Sequence, residues 1–269
     1  MPAIHLERLD QQIKAVFDPE FPGSIFLKNF QTFLDIHSNL AYQPSQELQR
    51  KSLVPKLHLA PIVMHQIQMR FSSMSKSNPQ LAIEYADQLW GLETYETKLF
   101  SAIILGNLEM NYLDEITSRF VKWGSQTSDY EVHQILFTHG TKNIKRENEK
   151  AWLEILQSWI DSNNANRTIT AIFAIRSIIH EQSFENFPRI YKMISPILKI
   201  EDRKIITTLQ QLILDLAEIN PNETAHFLSS TLMSSPPALV KLLIRKSLKS
   251  FPKDQQITLR EALTNVEDG

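Results

Sequence analysis

Cysteine is absent from this 269-residue sequence, and glycine occurs only 6 times. Without cysteine the chain can hold no disulfide framework, no thiolate zinc site, no cysteine-ligated iron–sulfur cluster and no cysteine nucleophile. The glycine content is far below the roughly 7% that is usual in soluble proteins. The composition therefore argues against a glycine-rich phosphate-binding loop and against a sheet-rich fold with many tight hairpins.

Long apolar runs are also missing, because residues 59–64 are interrupted by Pro61 and residues 102–105 span one helical turn. Neither run approaches the roughly 20 residues that cross a bilayer. Residues 1–8 lack a basic segment followed by an apolar one, so we expect no signal peptide, no membrane partner and a cytoplasmic location. With a net charge of −2, nucleic-acid binding would need a local cluster of cations.

The common motifs of nucleotide-binding and hydrolytic sites do not occur, among them the P-loop, G-x-G-x-x-G and G-x-S-x-G. The 8 histidines include no HExxH or HxH pair. His133 and His139 are too far apart in sequence to chelate a metal from one helix face. We therefore expect no metal and no cofactor, and we interpret these histidines as surface or satisfied core residues.

Apolar residues at helical spacing are what the sequence has in abundance. Leu99, Phe100, Ile103 and Ile104 mark one face of a helix, and the same pattern recurs in residues 155–160 and 205–216. Each of these helices is amphipathic and needs a partner surface. Strand-type alternation is scarce, so the sequence predicts an all-α protein.

A repeat of about 36 residues is visible in the positions of equivalent apolar and small residues. Steps of this length connect Leu99, Ile135, Ala171, Thr207 and Leu243. Because a single helical hairpin cannot bury its own apolar face, the repeat predicts a HEAT-like α-α superhelix, a solenoid of stacked antiparallel helix pairs. The alternative is a compact helical domain without repeats.

The predicted solenoid has five inner and five outer helices. We place the inner helices at residues 93–108, 128–140, 164–181, 201–219 and 237–250. The outer helices are predicted at residues 79–90, 111–123, 147–161, 184–197 and 222–232. Residues 1–75 form an N-terminal helical cap with proline-marked joints near Pro44 and Pro55, and residues 76–269 form the repeat array in one continuous domain.

Helix starts are marked by capping residues and prolines. Asn78 and Asn220 each precede a proline, which is the usual order of an N-cap and a first helical residue. Further starts are predicted at Thr127, at 163–164 and at Ser235, and the prolines after Ser235 break the preceding helix.

Four sequence blocks resemble the DNA alkylation repair family with HEAT-like repeats. They are residues 82–100, which include Leu89-Trp90, then 159–167, then 202–206, and finally 220–221 together with 235–245. The resemblance covers roughly residues 55–251. It implies a concave basic surface that binds duplex DNA and an activity that excises positively charged N3- or N7-alkylated purines.

The resemblance also implies a catalytic pattern, in which an Asp follows a Trp by four residues and an Arg and further Trp residues lie nearby. A carboxylate beside the sugar would stabilise the oxocarbenium charge that develops as the base leaves, and Trp faces would hold the cationic base. The best matches here are Asp129 as the catalytic carboxylate, Trp123 as the lesion-packing residue and Arg167 on the DNA backbone.

This chain departs from that pattern. Asp129 follows Trp123 by six residues rather than four, and on a helix only the i+4 position shares a face with residue i. Thr168, Ala165 and Thr208 replace an Arg and two Trp residues that the resemblance implies. Asp129 also stands where an N-capping acid belongs, so a structural role is the alternative and glycosylase activity is doubtful.

Basic residues are concentrated on the predicted inner helices and on the turn after the second of them, where stacking would align them in one strip. We predict DNA contacts from Lys142, Lys145, Arg146, Arg167, Arg176, Arg203, Lys204, Lys241, Arg245 and Lys246. The alternative is that these are solvated helix charges, since acids lie among them.

The function predicted from these observations is duplex-DNA binding by a monomer. The alternative is a non-enzymatic scaffold whose curved, basic surface binds a protein partner with an acidic face.

Overall fold

The computed structural model of the protein describes residues 5–17, 23–39, 53–127, 129–181 and 183–265. Within these ranges all regular structure consists of α-helices and short 3-10 helices, and no strand occurs. The prediction of an all-α fold is therefore confirmed. The chain divides into two compact units, Met1–Glu149 and Lys150–Gly269. Of the two proline-marked joints, Pro44 lies outside the described residues, and Pro55 lies in a non-helical segment before α3.

In its described residues, the first unit contains seven complete helices and the start of an eighth. They are α1 Leu6–Val16, α2 Gly23–His37, α3 Pro61–Ser77, α4 Pro79–Trp90, α5 Tyr95–Leu105, α6 Leu113–Gln126, α7 Tyr130–His139 and α8 Lys142–Asp161. Helix α4 pairs with α5, α3 packs against both, and α5 packs against α7. Helix α8 is interrupted at Asn148, whose φ of −157° and ψ of 78° are not helical.

Aromatic rings form the core of the first unit. Phe71 contacts the rings of Phe17 at 4.9 Å, Phe30 at 5.6 Å and Phe100 at 5.7 Å between centroids. The Phe26 ring stacks on Tyr85 at 3.8 Å. Because each buried Phe contributes about 1.5–3 kcal/mol of hydrophobic free energy, this cluster joins α1, α2 and α3 to the α4–α5 pair.

The described part of the second unit contains the rest of α8 and six further helices. They are α9 Ala165–Ile179, α10 Phe187–Ile194, α11 Arg203–Ile219, α12 Pro221–Met233, α13 Ala238–Ser247 and α14 Lys253–Asn265. Helix α9 packs against α11, and α11 packs against α13, so these three helices form a row. Helix α12 packs against α11 and α14. We refer to the first set as the α9–α11–α13 row.

Helix starts recur along the chain at the predicted interval. Helices α5, α7, α9, α11 and α13 begin about 35 to 38 residues apart, at Tyr95, Tyr130, Ala165, Arg203 and Ala238. The positions of these helices agree with those predicted for the inner helices. The sequence analysis missed α14, whose signals are Pro252 before its first residue and the buried pair Leu259 and Leu263 at i, i+4 spacing.

Three of the predicted N-caps hold and two lie elsewhere. Asn220 is the N-cap of α12, without a cap hydrogen bond from its side chain. Asn78 Oδ1 accepts a hydrogen bond from Leu81 N at 3.4 Å, and Asn164 Oδ1 accepts one from Arg167 N at 3.1 Å. Thr127 instead ends α6, and the N-cap of α7 is Asp129. The N-cap of α13 is Pro237 rather than Ser235, because a residue that precedes a proline is pushed out of helical backbone geometry.

Candidate functional site

Asp129 caps the N-terminus of α7 with its carboxylate. Oδ1 accepts hydrogen bonds from Glu131 N at 2.8 Å and Val132 N at 3.2 Å, and Oδ2 accepts one from Leu53 N. The residue is only 5% exposed. Both carboxylate oxygens therefore bind backbone amides, as an N-capping side chain does, and the capping alternative describes the geometry of Asp129.

The amide bound by Asp129 Oδ2 belongs to a non-helical segment, residues 53–60, that lies against the N-terminal ends of α5 and α7. Lys56 of this segment pairs with Glu131 at 2.6 Å, and its Nζ lies 4.6 Å from the Tyr95 ring centroid. The carboxylate of Glu96 accepts hydrogen bonds from Leu57 N and His58 N at 2.9–3.0 Å. The segment therefore covers the side of Asp129 that the α7 backbone leaves open.

Trp123 is 1% exposed and stacks on Trp90, with ring centroids 4.5 Å apart and an interplanar angle of 7°. The Nζ of Lys98 lies 4.8 Å from the Trp90 ring centroid, and burial lowers the pKa of Lys98. The Lys98 ammonium thus already lies over the Trp90 ring, and the Trp123 ring is buried. In this conformation Trp123 acts as a core residue, and its lesion-packing role stays a prediction.

The predicted contacts of the first unit, Lys142, Lys145 and Arg146, lie in the part of α8 that precedes Asn148. Lys145 Nζ donates to Phe137 O at 3.3 Å, and Arg146 pairs with Glu147 at 3.2 Å on the surface. Partial burial, followed by the charges of Lys142 and Lys145, lowers the pKa of His139.

Arg176 differs from the other predicted DNA contacts because its side chain is 4% exposed. Its Nε donates to Asp215 Oδ2 at 2.6 Å and its Nη2 donates to Asp215 Oδ1 at 3.2 Å. His180 Nε2 lies 3.5 Å from the same carboxylate. Arg176 therefore joins α9 to α11 inside the second unit, and a buried guanidinium that is bound in two places is not available to a phosphate.

The remaining predicted contacts lie on the α9–α11–α13 row. Arg167 is in the first turn of α9, Arg203 and Lys204 begin α11, and all three side chains are exposed. On α13, Lys241 is half-buried, whereas Arg245 and Lys246 are exposed in the last turn. Asp129 and Trp123 belong to the first unit and Arg167 to the second, so the convergence of these three residues stays a prediction.

A groove between α11 and α13 was missed by the sequence analysis, although two predicted cations line it. The groove has a volume of about 350 Å³. Its lining is Arg203, Ile206, Thr207, Gln210, Leu239, Leu242, Leu243 and Lys246. The available signal was the spacing of Arg203, Thr207 and Gln210 on α11, which places three polar side chains on one helix face.

Two further findings concern the described part of the chain. None of its helices is long and apolar enough to cross a membrane. None of its His, Asp and Glu side chains come together in groups of three or more that could hold a metal ion.

The family model for the DNA alkylation repair enzymes matches residues 60–265 of this chain. The chain belongs to the DNA alkylation repair family. Comparisons with curated proteins and with solved structures gave no match. The family match includes α3 to α14 and thus both the Asp129 site and the α9–α11–α13 row.

Within the DNA alkylation repair family pattern implied by the sequence, the carboxylate follows the Trp by four residues. In this member the residue four places after Trp123 is Thr127, which ends α6. Its Oγ1 accepts a hydrogen bond from Asp129 N at 3.0 Å. The position thus holds a hydroxyl that fixes the turn between α6 and α7, and Asp129, two residues later, is the N-cap of α7.

Proposed function

We propose that this member of the DNA alkylation repair family binds duplex DNA, and that cations in the first turns of α9 and α11 contact the phosphates. One observation carries the proposal. Arg167, Arg203 and Lys204 are exposed, and none of them has an ion-pair partner among the residues that the structure describes. Unpaired cations in neighbouring helices supply the sequence-independent part of DNA affinity.

The packing of α9 and α11 supports this arrangement. The Arg176–Asp215 pair joins the two helices about three turns from the start of each, and we propose that they run in the same direction, with their first turns at the same level. The N-terminal end of a helix carries a partial positive charge that favours phosphate. The cap side chains of Asn164 and Asp202 already bind the amides of Arg167, Lys204 and Ile205, so the phosphate contacts fall to the exposed cations. Two such ends with exposed cations form a surface of the kind that a DNA backbone fits.

The salt dependence of binding tests this proposal. In fluorescence anisotropy with a labelled duplex of about 20 base pairs, the logarithm of the affinity should fall linearly with the logarithm of the salt concentration, by about 0.9 for each phosphate contacted. Five contacts would give a slope of about −4.5. A flat salt response, or no binding at low salt, would reject the proposal.

Paired variants locate the contacts. Arg167→Gln with Lys204→Gln should make the slope shallower by about 2 and weaken the binding of all duplex sequences alike. Lys192→Gln is the matched control, because Lys192 is an exposed cation on α10, outside the row. An equal loss in the control variant would show that net charge alone governs binding.

For chemistry, we propose that Asp129 acts as the N-cap of α7 and not as a glycosylase carboxylate. Stabilisation of an oxocarbenium charge needs a carboxylate whose oxygens face the sugar at close range. Both Asp129 oxygens instead accept backbone hydrogen bonds. The protein should therefore bind duplex DNA without releasing an alkylated base.

Base release from a duplex that carries N7-methylguanine tests this part. The expected result is no release by the native protein under conditions in which the duplex is bound. Release by the native protein that is lost in Asp129→Asn would establish Asp129 as catalytic and overturn the capping assignment. Release that survives the substitution would place the chemistry on another carboxylate.

A further inference from the structure

The groove between α11 and α13 has an apolar middle. Ile206 and Leu243 are buried at its base, while Leu239 is half-buried and Leu242 is 43% exposed. An exposed leucine at the side of a groove gains free energy when a partner covers it with apolar atoms. A duplex offers mainly phosphate and sugar at its surface, so the leucines of this groove fit another kind of partner better.

Cations flank this apolar middle. Arg203 is the first residue of α11, and Lys246 lies in the last turn of α13. Both are exposed, and neither has an ion-pair partner among the described residues. Arg119 and Arg176, by contrast, are each paired with a carboxylate at 2.6 Å. The groove therefore has two positive charges that its own unit leaves uncompensated.

The length and the volume of the groove also limit what it can bind. On α11 the lining runs from Arg203 to Gln210, which is roughly 10 Å along a helix. That length corresponds to about two turns of a helical peptide, and a volume of about 350 Å³ admits one or two apolar side chains. Thr207 and Gln210 supply hydrogen-bonding groups along one wall.

We propose that the α11–α13 groove binds an acidic amphipathic segment of a partner protein. Apolar side chains of the segment enter between Leu239 and Leu242, and its carboxylates pair with Arg203 and Lys246. Charge complementarity selects an acidic partner, and the apolar middle selects the helix-in-groove mode of recognition. The interaction shares Arg203 with the phosphate contacts proposed above, whereas Arg167 and Lys204 lie outside the groove lining.

A random 12-residue peptide library displayed on phage tests the proposal with the full chain as bait. Selection runs in parallel on the native protein and on Leu242→Asp, a substitution at an exposed position whose fold is checked by circular dichroism. The expected result is enrichment, on the native protein only, of peptides that combine Asp or Glu with Leu, Ile or Phe at helical spacing. No enrichment above Leu242→Asp, or enrichment of basic peptides, would overturn the proposal.

Direct titration of an enriched peptide tests the charge contact and the apolar contact of the proposal separately. Lys246→Glu and Leu242→Asp should each weaken binding by about tenfold or more, since one reverses a facing charge and the other removes the apolar contact. Lys249→Glu is the matched control, because Lys249 is an exposed cation just beyond α13 that does not line the groove. An equal loss in Lys249→Glu would attribute binding to net charge and contradict the assignment to the groove.

The same variants distinguish this proposal from DNA binding. Leu242→Asp should abolish peptide binding and weaken duplex binding only slightly, whereas Arg167→Gln with Lys204→Gln should do the opposite. If Leu242→Asp weakened duplex binding as strongly as the cation variants and no peptide bound, the groove would belong to the DNA surface. Failure of duplex binding with intact peptide binding would reject only the DNA proposal.

Discussion

The Asp129 side chain stabilises the local structure around it. It caps α7 through two amides and also binds the amide of Leu53, which is 76 residues away in sequence. Loss of an N-cap costs about 0.5–2 kcal/mol, and the contact to Leu53 would be lost at the same time. The residue therefore contributes to the stability of two segments.

We predict that Asp129→Ala lowers the free energy of unfolding by about 2 kcal/mol, since the cap and the Leu53 contact both disappear. Urea denaturation followed by circular dichroism measures the change. Glu109→Gln is the matched control, because Glu109 is exposed and makes no side-chain cap hydrogen bond, and it should shift stability by less than about 0.5 kcal/mol. Equal effects would show that Asp129 contributes only general surface charge.

The Arg176–Asp215 pair gives a second prediction at this scale. Arg176→Met would leave the Asp215 carboxylate, which is 17% exposed, without its guanidinium and should cost about 3 kcal/mol. Adding Asp215→Leu should recover much of that loss, because the unpaired charge is then removed as well.

Denaturant unfolding of the single and double variants measures both effects. The control is Arg167→Met, which replaces an exposed cation on the same helix and should change stability little. If the double variant is as unstable as Arg176→Met, the loss of unfolding free energy comes from packing and not from the unpaired charge of Asp215.

At the scale of elements, α5 and α7 approach each other closely where both helices end. A Cβ added to Gly106, the C-cap of α5, would lie 1.8 Å from the carbonyl oxygen of His139. The φ of −72° at Gly106 is accessible to any residue. Glycine is required here by the close approach of a neighbouring backbone and not by its conformational freedom.

We predict that Gly106→Ala lowers the melting temperature strongly, because the backbone of α7 must shift to admit the methyl group and overpacking costs about 1–3 kcal/mol or more. Thermal unfolding checks this. Gly91→Ala is the matched control: Gly91 is the C-cap of α4, and the nearest atom to an added Cβ is at 3.3 Å. A similar loss in both variants would mean that α5 and α7 are less closely packed than described.

At the scale of the whole molecule, stability should depend on pH through two histidines. Desolvation by burial and the charge of Arg8 lower the pKa of His37, and burial with Lys142 and Lys145 lowers the pKa of His139. A histidine whose pKa is lower in the folded state binds fewer protons there than in the unfolded chain. This contribution to stability is present above the ordinary histidine pKa of 6.5 and is lost as the pH falls below that value.

We therefore predict that the melting temperature falls between about pH 7.5 and pH 5.5, and that it falls less in the variant His37→Gln, His139→Gln. Differential scanning calorimetry at both pH values measures the difference. The lowered pKa of Asp10 acts at more acidic pH and leaves this window unaffected. An identical fall in the variant would assign the acid sensitivity to other groups.

The sequence by itself determined the inner helices, their spacing and the family resemblance. Amphipathic periodicity and caps such as Asn78 and Asn164 are local signals, because a helix bonds within itself. They located the inner helices, and all the blocks that carry the resemblance lie within the residues that the family model matches.

Tertiary structure alone decided what the candidate side chains touch. Arg176 and Arg167 look alike on a sequence, and only the packing of α11, with Asp215 39 residues away, buries the first and leaves the second exposed. Trp123 stacks on Trp90 across two helices, and Asp129 binds an amide from a distant segment. Such contacts depend on which surfaces meet in space, and helical periodicity contains no information about the partner surface.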